Sequence, residues 1–302
     1  MTRPVAGTTS RPELLVLGAG GWHWQRLARA AERLRLPLRR LGFAALRFDG
    51  TARSGLRLAD QEELPGAVLV RFVPSGSFEQ VTRRLGLLHA LETLQVPVIN
   101  SARAIERCVD KSATSFLLHH AGLPTPPAWT VERLEEARAI VEAEAAAGFE
   151  LVSKPLFGAQ GRGLRRLRDP ADLPSEEESA GVWYLQRYVP PEGGDRDYRV
   201  LVINGEPVAA MAREGRSWIT NVHQGGRPVP VPAGGRLGAL AVVATRAVGA
   251  FYAGVDLLEE RGTGRLLLLE VNSQPAWQGL QAVTAFDIAE ALLEAVARKL
   301  GR

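Results

Sequence analysis

Apolar residues in this chain gather in short continuous runs broken by Gly, Pro and Asp, and these runs alternate with longer stretches where apolar positions recur every three to four residues. The short runs predict buried strands and the longer spacing predicts helices. "ELLVLG" (13–18) is the first run, followed by a Gly-rich turn and a predicted helix from about Gln25 to Leu34. "AALRFDG" and "GAVLVRFVP" read as further strands, "SFEQVTRRLGLLHALETLQ" as a helix and "VPVIN" (96–100) as a last strand. Strand and helix alternate, so the first hundred residues predict an α/β lobe around a parallel sheet.

A second lobe opens near Ser101 with two helices in "SARAIERCVDKSATSFLLHHAG" and a Pro-rich stop. "ARAIVEAEAAAG" predicts another helix, and "FELVSKPLFGAQGRGLRRL" a strand, a Gly-rich loop and a strand. A linker rich in Asp, Pro, Ser and Glu (169–181) leads to a region dominated by strands: "VWYLQRYVP", "DYRVLVING", "EPVAAMAR", "FYAGVDLLEE" and "RLLLLEVN". A helix from about Asp287 to Leu300 closes it. The expected organisation is three lobes, 1–102, 103–182 and 183–302, of α/β class with an α+β C-terminal half.

Composition changes this picture little. At 302 residues, 46% hydrophobic and 23% charged, the chain suits a folded multi-lobed protein, and the polar first ten residues read as disordered. A formal charge of +4 with basic runs that alternate with leucine predicts solvated basic faces and no nucleic-acid partner. The apolar run near the N-terminus is too short for a signal peptide, and no stretch has the length of a membrane span. One cysteine, Cys108, excludes an internal disulfide and points to a cytoplasmic protein. A homo-oligomer is allowed. Only three of the 37 basic residues are lysines, Lys111, Lys154 and Lys299, which singles out each of them. Lys299 falls in the last turn of the predicted C-terminal helix, where a cation complements the dipole.

Candidate chemistry sits on the late strands. In "AGVDLLEE" and "LLLLEVNSQP", Asp256, Glu270 and Asn272 read as strand-end residues, and the last two share a face because strand side chains alternate with period two. Two adjacent antiparallel strands would present these oxygens to one point, as Mg²⁺ with phosphate and water requires. A pair of solvated strand-end residues is the alternative. Lys154 ends a strand and Gly158, Gly161 and Gly163 follow it, a combination suited to phosphate through close backbone approach and a point charge. It is no P-loop. In the first lobe, His23 lies between Trp22 and Trp24 just after the first strand, and Arg71 precedes a loop containing Ser75. Arg71 reads either as a carboxylate anchor or as a buried ion pair.

Seven motifs in order, "VDKSATSFLLHHAGLPTPP", "VSKPLFGAQGRG", "YLQRYVP", "DRDYRVLVINGEPVAAMAR", "TNVHQGG", "AGVDLLE" and "LEVNSQPAWQGLQ", resemble ATP-grasp enzymes, most closely the RimK-type α-L-glutamate ligases. That resemblance implies a three-lobed ATP-grasp fold and an ADP-forming carboxylate–amine ligase working through an acyl phosphate. It implies ATP with two Mg²⁺ ions, for which Mn²⁺ can substitute, held by Asp256, Glu270 and Asn272. Lys111 and Lys154 would contact the nucleotide, the backbone of Gln186, Arg187, Tyr188 and Val189 would bond the adenine edge, and Asp197 would approach the ribose or the amide donor. Arg213 and Asn221 would face the transferred phosphoryl group. Two departures stand out: Ile219 replaces the family's arginine, and "NSQPAWQG" brings Trp277 to the metal site, as packing or as an aromatic shelf. "PAW" here resembles ligases acting on pterin or furan cofactors, which implies a small-molecule acceptor, such as a tetrahydromethanopterin-like pterin, and glutamate as the amine. Glutamylation of a protein C-terminus and a non-catalytic ATP-binding module are the competing implications.

Overall fold

Four-residue apolar runs buried along their whole length, LLVL in β1 (Leu14–Leu17) and AVLV in β5 (Ala67–Val70), form the centre of a parallel sheet, since strands covered on both faces need no polar alternation. The computed structural model describes residues 13–18, 20–59, 61–158 and 161–301; the N-terminal stretch expected to be disordered lies outside them. Between β1 and β5 come α1 (Trp22–Leu34), β2 (Leu38–Leu41), β3 (Leu46–Phe48) and β4 (Leu56–Leu58); after β5 come α2 (Phe78–Thr93) and β6 (Val98–Ile99). The parallel sheet has the order β2-β1-β5-β6. Its edge strand β2 carries Arg39 and Arg40, and so lacks the apolar run that marks the central strands. "AALRFDG" yields a strand outside this sheet: β3 pairs only with β4, antiparallel, because its Arg47 and Phe48 are exposed and could not occupy a covered strand. α1 starts at Trp22, three residues before the expected start.

The chain divides into two compact units, residues 1–102 with 287–302, and residues 103–286. The second unit opens with α3 (Ala102–Val109) and α4 (Lys111–His120). Asp110 caps α4, accepting from the Ser112 and Ala113 amides at 2.8 and 3.2 Å, which satisfies two of the donors a helix start leaves open. Then follow β7 (Ala128–Val131), α5 (Leu134–Ala146), β8 (Leu151–Lys154), β9 (Arg165–Leu167), α6 (Glu176–Ser179) and β10 (Trp183–Arg187).

The four strands make one antiparallel sheet in the order β7-β10-β8-β9. Residues 169–181 are not a linker and 182 is not a boundary. Asp169 caps a short 3₁₀ turn, Ser175 caps α6, and Trp183 Nε1 donates to Pro174 O at 2.9 Å. Trp183 and Leu185 of β10 are buried with Leu151, Leu167 and the α5 residues Ala137 and Val141, so β10 belongs to the middle sheet.

The remaining elements are β11 (Arg196–Ile203), β12 (Glu206–Glu214), β13 (Arg227–Val231), α7 (Gly235–Val248), β14 (Tyr252–Glu259), β15 (Leu266–Asn272) and α8 (Gln278–Ala282). Their strands form an antiparallel sheet in the order β13-β12-β11-β14-β15. On one face Val200, Val202, Ala210, Val255, Leu257 and Val271 pack against Ala241, Ala244 and Val248 of α7. Strand alternation then commits the opposite face to Asp197, Arg199, Arg213, Asp256, Glu270 and Asn272. That polar face carries the candidate chemistry.

The last helix, α9 (Ile288–Lys299), does not close the strand-rich region as its position in sequence suggested. It packs on α1, where Arg33 donates to Asp287 at 2.6 Å and Glu290 at 2.9 Å.

Candidate active site

The polar face of the five-stranded sheet is organised by cross-strand register. Asp256 lies directly opposite Glu270 on one side and Arg199 on the other, and Asp197 lies opposite Arg213. Arg199 donates to both oxygens of Asp256, at 2.5 and 2.6 Å. Arg213 donates to both oxygens of Asp197, at 2.7 and 2.5 Å, and reaches Asp256 at 3.1 Å. Four charges of alternating sign thus form one connected chain in which Arg213 is only 4% exposed. Burial pushes the Asp256 pKa upward, but the two guanidinium groups outweigh it and hold the carboxyl below its ordinary range.

Two sequence expectations change here. Asp256 is not at a strand end: β14 runs on to Glu259, fully paired, and the residue is buried mid-strand. Asp197 spends both oxygens on Arg213, so its work in this structure is to fix that guanidinium. Arg199 was missed, although its two-residue spacing from Asp197 in "DYR" places it on the same face.

Glu270 stands apart from this chain. Among the described residues nothing donates a hydrogen bond or forms an ion pair to its half-buried carboxylate. A bulge sets its position: the register jumps from Asp256↔Glu270 to Leu257↔Leu268, leaving Leu269 as the extra residue just before it. Asn272 donates its Nδ2 to Gly254 O at 3.4 Å, which leaves its Oδ1 as the available acceptor.

No group of three or more His, Cys, Asp and Glu side chains able to cage a metal occurs among the described residues. Two carboxylates and one amide oxygen do suit a cation that keeps water and phosphate as its other ligands. A carboxylate without a protein partner is the feature such an ion would satisfy, and Asp256 Oδ1, which Arg199 bonds, retains a lone pair, while Oδ2 faces both guanidinium groups. The residues present fit Mg²⁺.

Two of the three lysines, Lys111 and Lys154, reach this site. Glu270, Asp256 and Asp197 all act on the Lys154 ammonium, and Glu270 acts on Lys111. Burial lowers the pKa of each lysine more than these carboxylates raise it. Lys154 donates to Gln186 Oε1 at 2.6 Å, while Lys111 donates to the carbonyls of Leu156 and Gly158 at 3.2 and 3.0 Å. Lys111 therefore ties α4 to the start of the Gly-rich loop.

Within that loop Gly163 sits at φ +72° with no room for a side chain, its Cβ position being 2.7 Å from Pro155 Cγ. At Gly161 a Cβ would fall 2.5 Å from Asn221 Oδ1, which brings Asn221 against the loop. At Gly158 a Cβ would fall 3.2 Å from Pro155 Cβ, so this residue too lies back over the start of the loop.

The strand end proposed for adenine is only partly available. The amides of Arg187 and Tyr188 donate to Pro127 O and Glu150 O, each at 2.8 Å. Val189 N–H has no acceptor among the described residues. Arg187 pairs with Glu144 at 2.7 and 2.9 Å, and the Tyr188 ring lies under Arg166, so these side chains are structural.

Trp277 is 0% exposed, which makes it packing and no shelf. Cys108 is buried, and burial pushes its thiol up to about 12, consistent with an inert core cysteine.

In the first unit, Arg71 follows β5 and is 8% exposed, with its amide bonded to Leu17 O at 2.8 Å. Burial, with Arg71 adding to it, lowers the His23 pKa to about 4, so the half-buried imidazole is neutral at pH 7. Both lie past the ends of β1 and β5, the adjacent pair at which this sheet reverses its strand order, the usual ligand crevice of open parallel sheets. Ser75 is exposed, and its carbonyl accepts from Arg84 at 3.1 Å.

Gly254 offers a test of the charge chain. A Cβ there would lie 2.8 Å from Pro275 Cβ and 3.3 Å from Arg199 Cδ. Gly254→Ala is expected to cost about 1–3 kcal/mol by overpacking and to lower turnover by displacing Arg199 from Asp256. Thermal unfolding and ADP release measured together check this, and wild-type values in both would show that the contact yields freely.

Together the fold and the site define an ATP-grasp ligase. The solved ATP-grasp ligase PsnB, complexed with a minimal precursor, superposes with a TM-score of 0.74 over 97% of this chain and 100% of that one, at 20% identity, which establishes the shared fold. The chain belongs to the RimK-like ATP-grasp family, whose domain model matches residues 108–296. Tetrahydromethanopterin:alpha-L-glutamate ligase of Methanococcus maripaludis is 36% identical over 227 residues, covering 72% of this chain and 75% of that protein. The protein of the same name from Methanocaldococcus jannaschii is 36% identical over 210 residues, covering 67% and 70%. The protein is accordingly an ATP-dependent ligase, and a fold retained without turnover is set aside.

Proposed function

We propose that the protein joins glutamate to a carboxylate of a pterin cofactor of the tetrahydromethanopterin type, releasing ADP and phosphate. One observation carries this: Asp256, Glu270, Asn272, Lys111 and Lys154 meet at one site, in a chain 36% identical to ligases named for that reaction. Lys111 and Lys154 would hold the ATP phosphates, with Gly158, Gly161 and Gly163 allowing close backbone approach and the Val189 amide meeting the nucleobase. Mg²⁺ bound by Asp256, Glu270 and Asn272, two ions in all, would neutralise phosphate charge, and Mn²⁺ would serve in its place. Arg213, already fixed by two carboxylates, would face the transferred group without reorganising, and Asn221 would border it from the loop side.

The chemistry balances in two steps. A carboxylate oxygen of the pterin attacks the γ-phosphorus of ATP, and the bond to the ADP oxygen breaks. The glutamate nitrogen then attacks the acyl carbon, phosphate leaves with the bonding pair, and the nitrogen sheds a proton. ADP release that requires both pterin and glutamate tests this, and release with neither would oppose it. A single reduced cysteine and ATP as a substrate suit the cytoplasm.

We assign Arg71, with His23 and Ser75 beside the same crevice, to the pterin's carboxylate. Arg71→Ala is expected to raise the KM for the pterin about tenfold or more, with the KM for ATP unchanged, since a charge-assisted bond contributes about 1.5–3 kcal/mol. Equal losses for both substrates in a folded variant would remove Arg71 from acceptor binding.

A further inference from the structure

Lys154 is held by a relay that the phosphate chemistry does not itself require. Its ammonium donates to Gln186 Oε1 at 2.6 Å, Gln186 Nε2 donates to the Tyr184 hydroxyl at 3.3 Å, and that hydroxyl lies 2.7 Å from Ser115 Oγ. Tyr184 and Gln186 are two residues apart on β10 and share a face, Lys154 is the β8 partner of Tyr184, and Ser115 belongs to α4. Gln186 is 3% exposed and Tyr184 2%. The middle of the relay is therefore buried, and its ends at Lys154 and Ser115 are half-buried.

Its direction follows from donor inventory. A lysine ammonium only donates, so Gln186 must turn its oxygen toward Lys154. Its amide nitrogen must then find an acceptor, and the Tyr184 oxygen is the one present. That leaves the single Tyr184 proton for Ser115 Oγ. Burial pushes the phenol up to about 12, so it keeps this proton throughout the neutral range. With the hydroxyl gone, the buried Gln186 Nε2 loses its acceptor, and the amide is no longer held in place under the ammonium by a bond at its far end. The lysine thus selects the end of Gln186 that faces it, and one hydroxyl anchors the other end.

We propose that Tyr184, anchored by Ser115, is a positioning residue that fixes Lys154 for nucleotide binding by holding the Gln186 amide in place. The inference rests on the reading of Lys154 as an ATP contact. It also links the two lysines mechanically, since α4 carries both Ser115 and Lys111.

A double-mutant cycle tests it on the full chain, with ATP binding measured by calorimetry in Mg²⁺ without acceptor. Tyr184→Phe keeps the ring and removes only the hydroxyl. It is expected to weaken ATP binding about tenfold, the effect of one buried hydrogen bond. In a Lys154→Met background the same change is expected to have no further effect, because the lysine it acts through is gone. Additive losses, or unchanged binding in Tyr184→Phe, would overturn the proposal while leaving Lys154 as an ATP contact. Unchanged binding in Lys154→Met alone would take down that contact and this inference together. Should Tyr184→Phe fail to fold, Ser115→Ala enters the same cycle, and the same non-additivity is required of it.

Discussion

Glu270→Gln is expected to lower acceptor-dependent ADP release by about 10²–10³-fold or more, the range seen when one preorganised electrostatic contact to a transition state is lost. The substitution is nearly isosteric, and among the described residues nothing bonds the Glu270 carboxylate. No hydrogen bond or close ion pair is broken by the change, and Lys111 and Lys154 lose a nearby countercharge without losing a bonded partner, so thermal stability should stay close to the wild-type value. Asn272→Ala is expected to act in the same direction through loss of its Oδ1. Stability separates this prediction from a folding defect: an inactive but fully stable Glu270→Gln protein is the expected pair of results. Wild-type turnover would remove Glu270 from the metal set.

The second large effect is on stability. Arg213 is buried and bonded to both oxygens of Asp197. Asp197→Ala would leave the guanidinium with Asp256 alone, and breaking one side of a buried ion pair costs on the order of 3 kcal/mol or more. Replacing both partners, Asp197→Leu with Arg213→Met, removes the stranded charge and is expected to recover most of that stability. Activity should not return, because the group proposed to face the transferred phosphoryl is absent. Denaturant unfolding of the single and double variants measures the first claim, and ADP release the second. Additive destabilisation in the double variant would show the pair to be independent.

How far these features could be read in the sequence depends on whether local pattern or tertiary contact created them. The central strands β1 and β5 are continuous apolar runs and were legible as such. β2 was hidden by Arg39 and Arg40, which an edge strand tolerates. β13 was hidden by Pro228 and Pro230, which cannot donate to a ladder and are accepted because β13 is also an edge. α7 escaped because its glycines and β-branched residues weaken the helical pattern, while packing on the sheet's apolar face supplies what propensity does not. β10 and α9 follow the order of the chain in sequence but not in space.

At the site, Glu270 and Asn272 were legible from period-two alternation, and Lys111 and Lys154 from their rarity. The Gly-rich loop announced itself by composition, although the reason for Gly161, the neighbouring Asn221, lies 60 residues on. The pairing of Asp197 with Arg213 depends on the register of β11 and β12, and the link from Ser115 to Tyr184 spans 69 positions. Neither leaves a periodic trace.

The central claim, glutamate addition to a pterin carboxylate driven by ATP, is tested most directly by mass spectrometry of a tetrahydromethanopterin-type pterin incubated with the protein, ATP, Mg²⁺ and glutamate. The account predicts a pterin product heavier by one or more glutamyl units, formed with ADP and absent when ATP or glutamate is omitted. An unchanged pterin, in a preparation that binds ATP and ligates glutamate to a different acceptor, would contradict it.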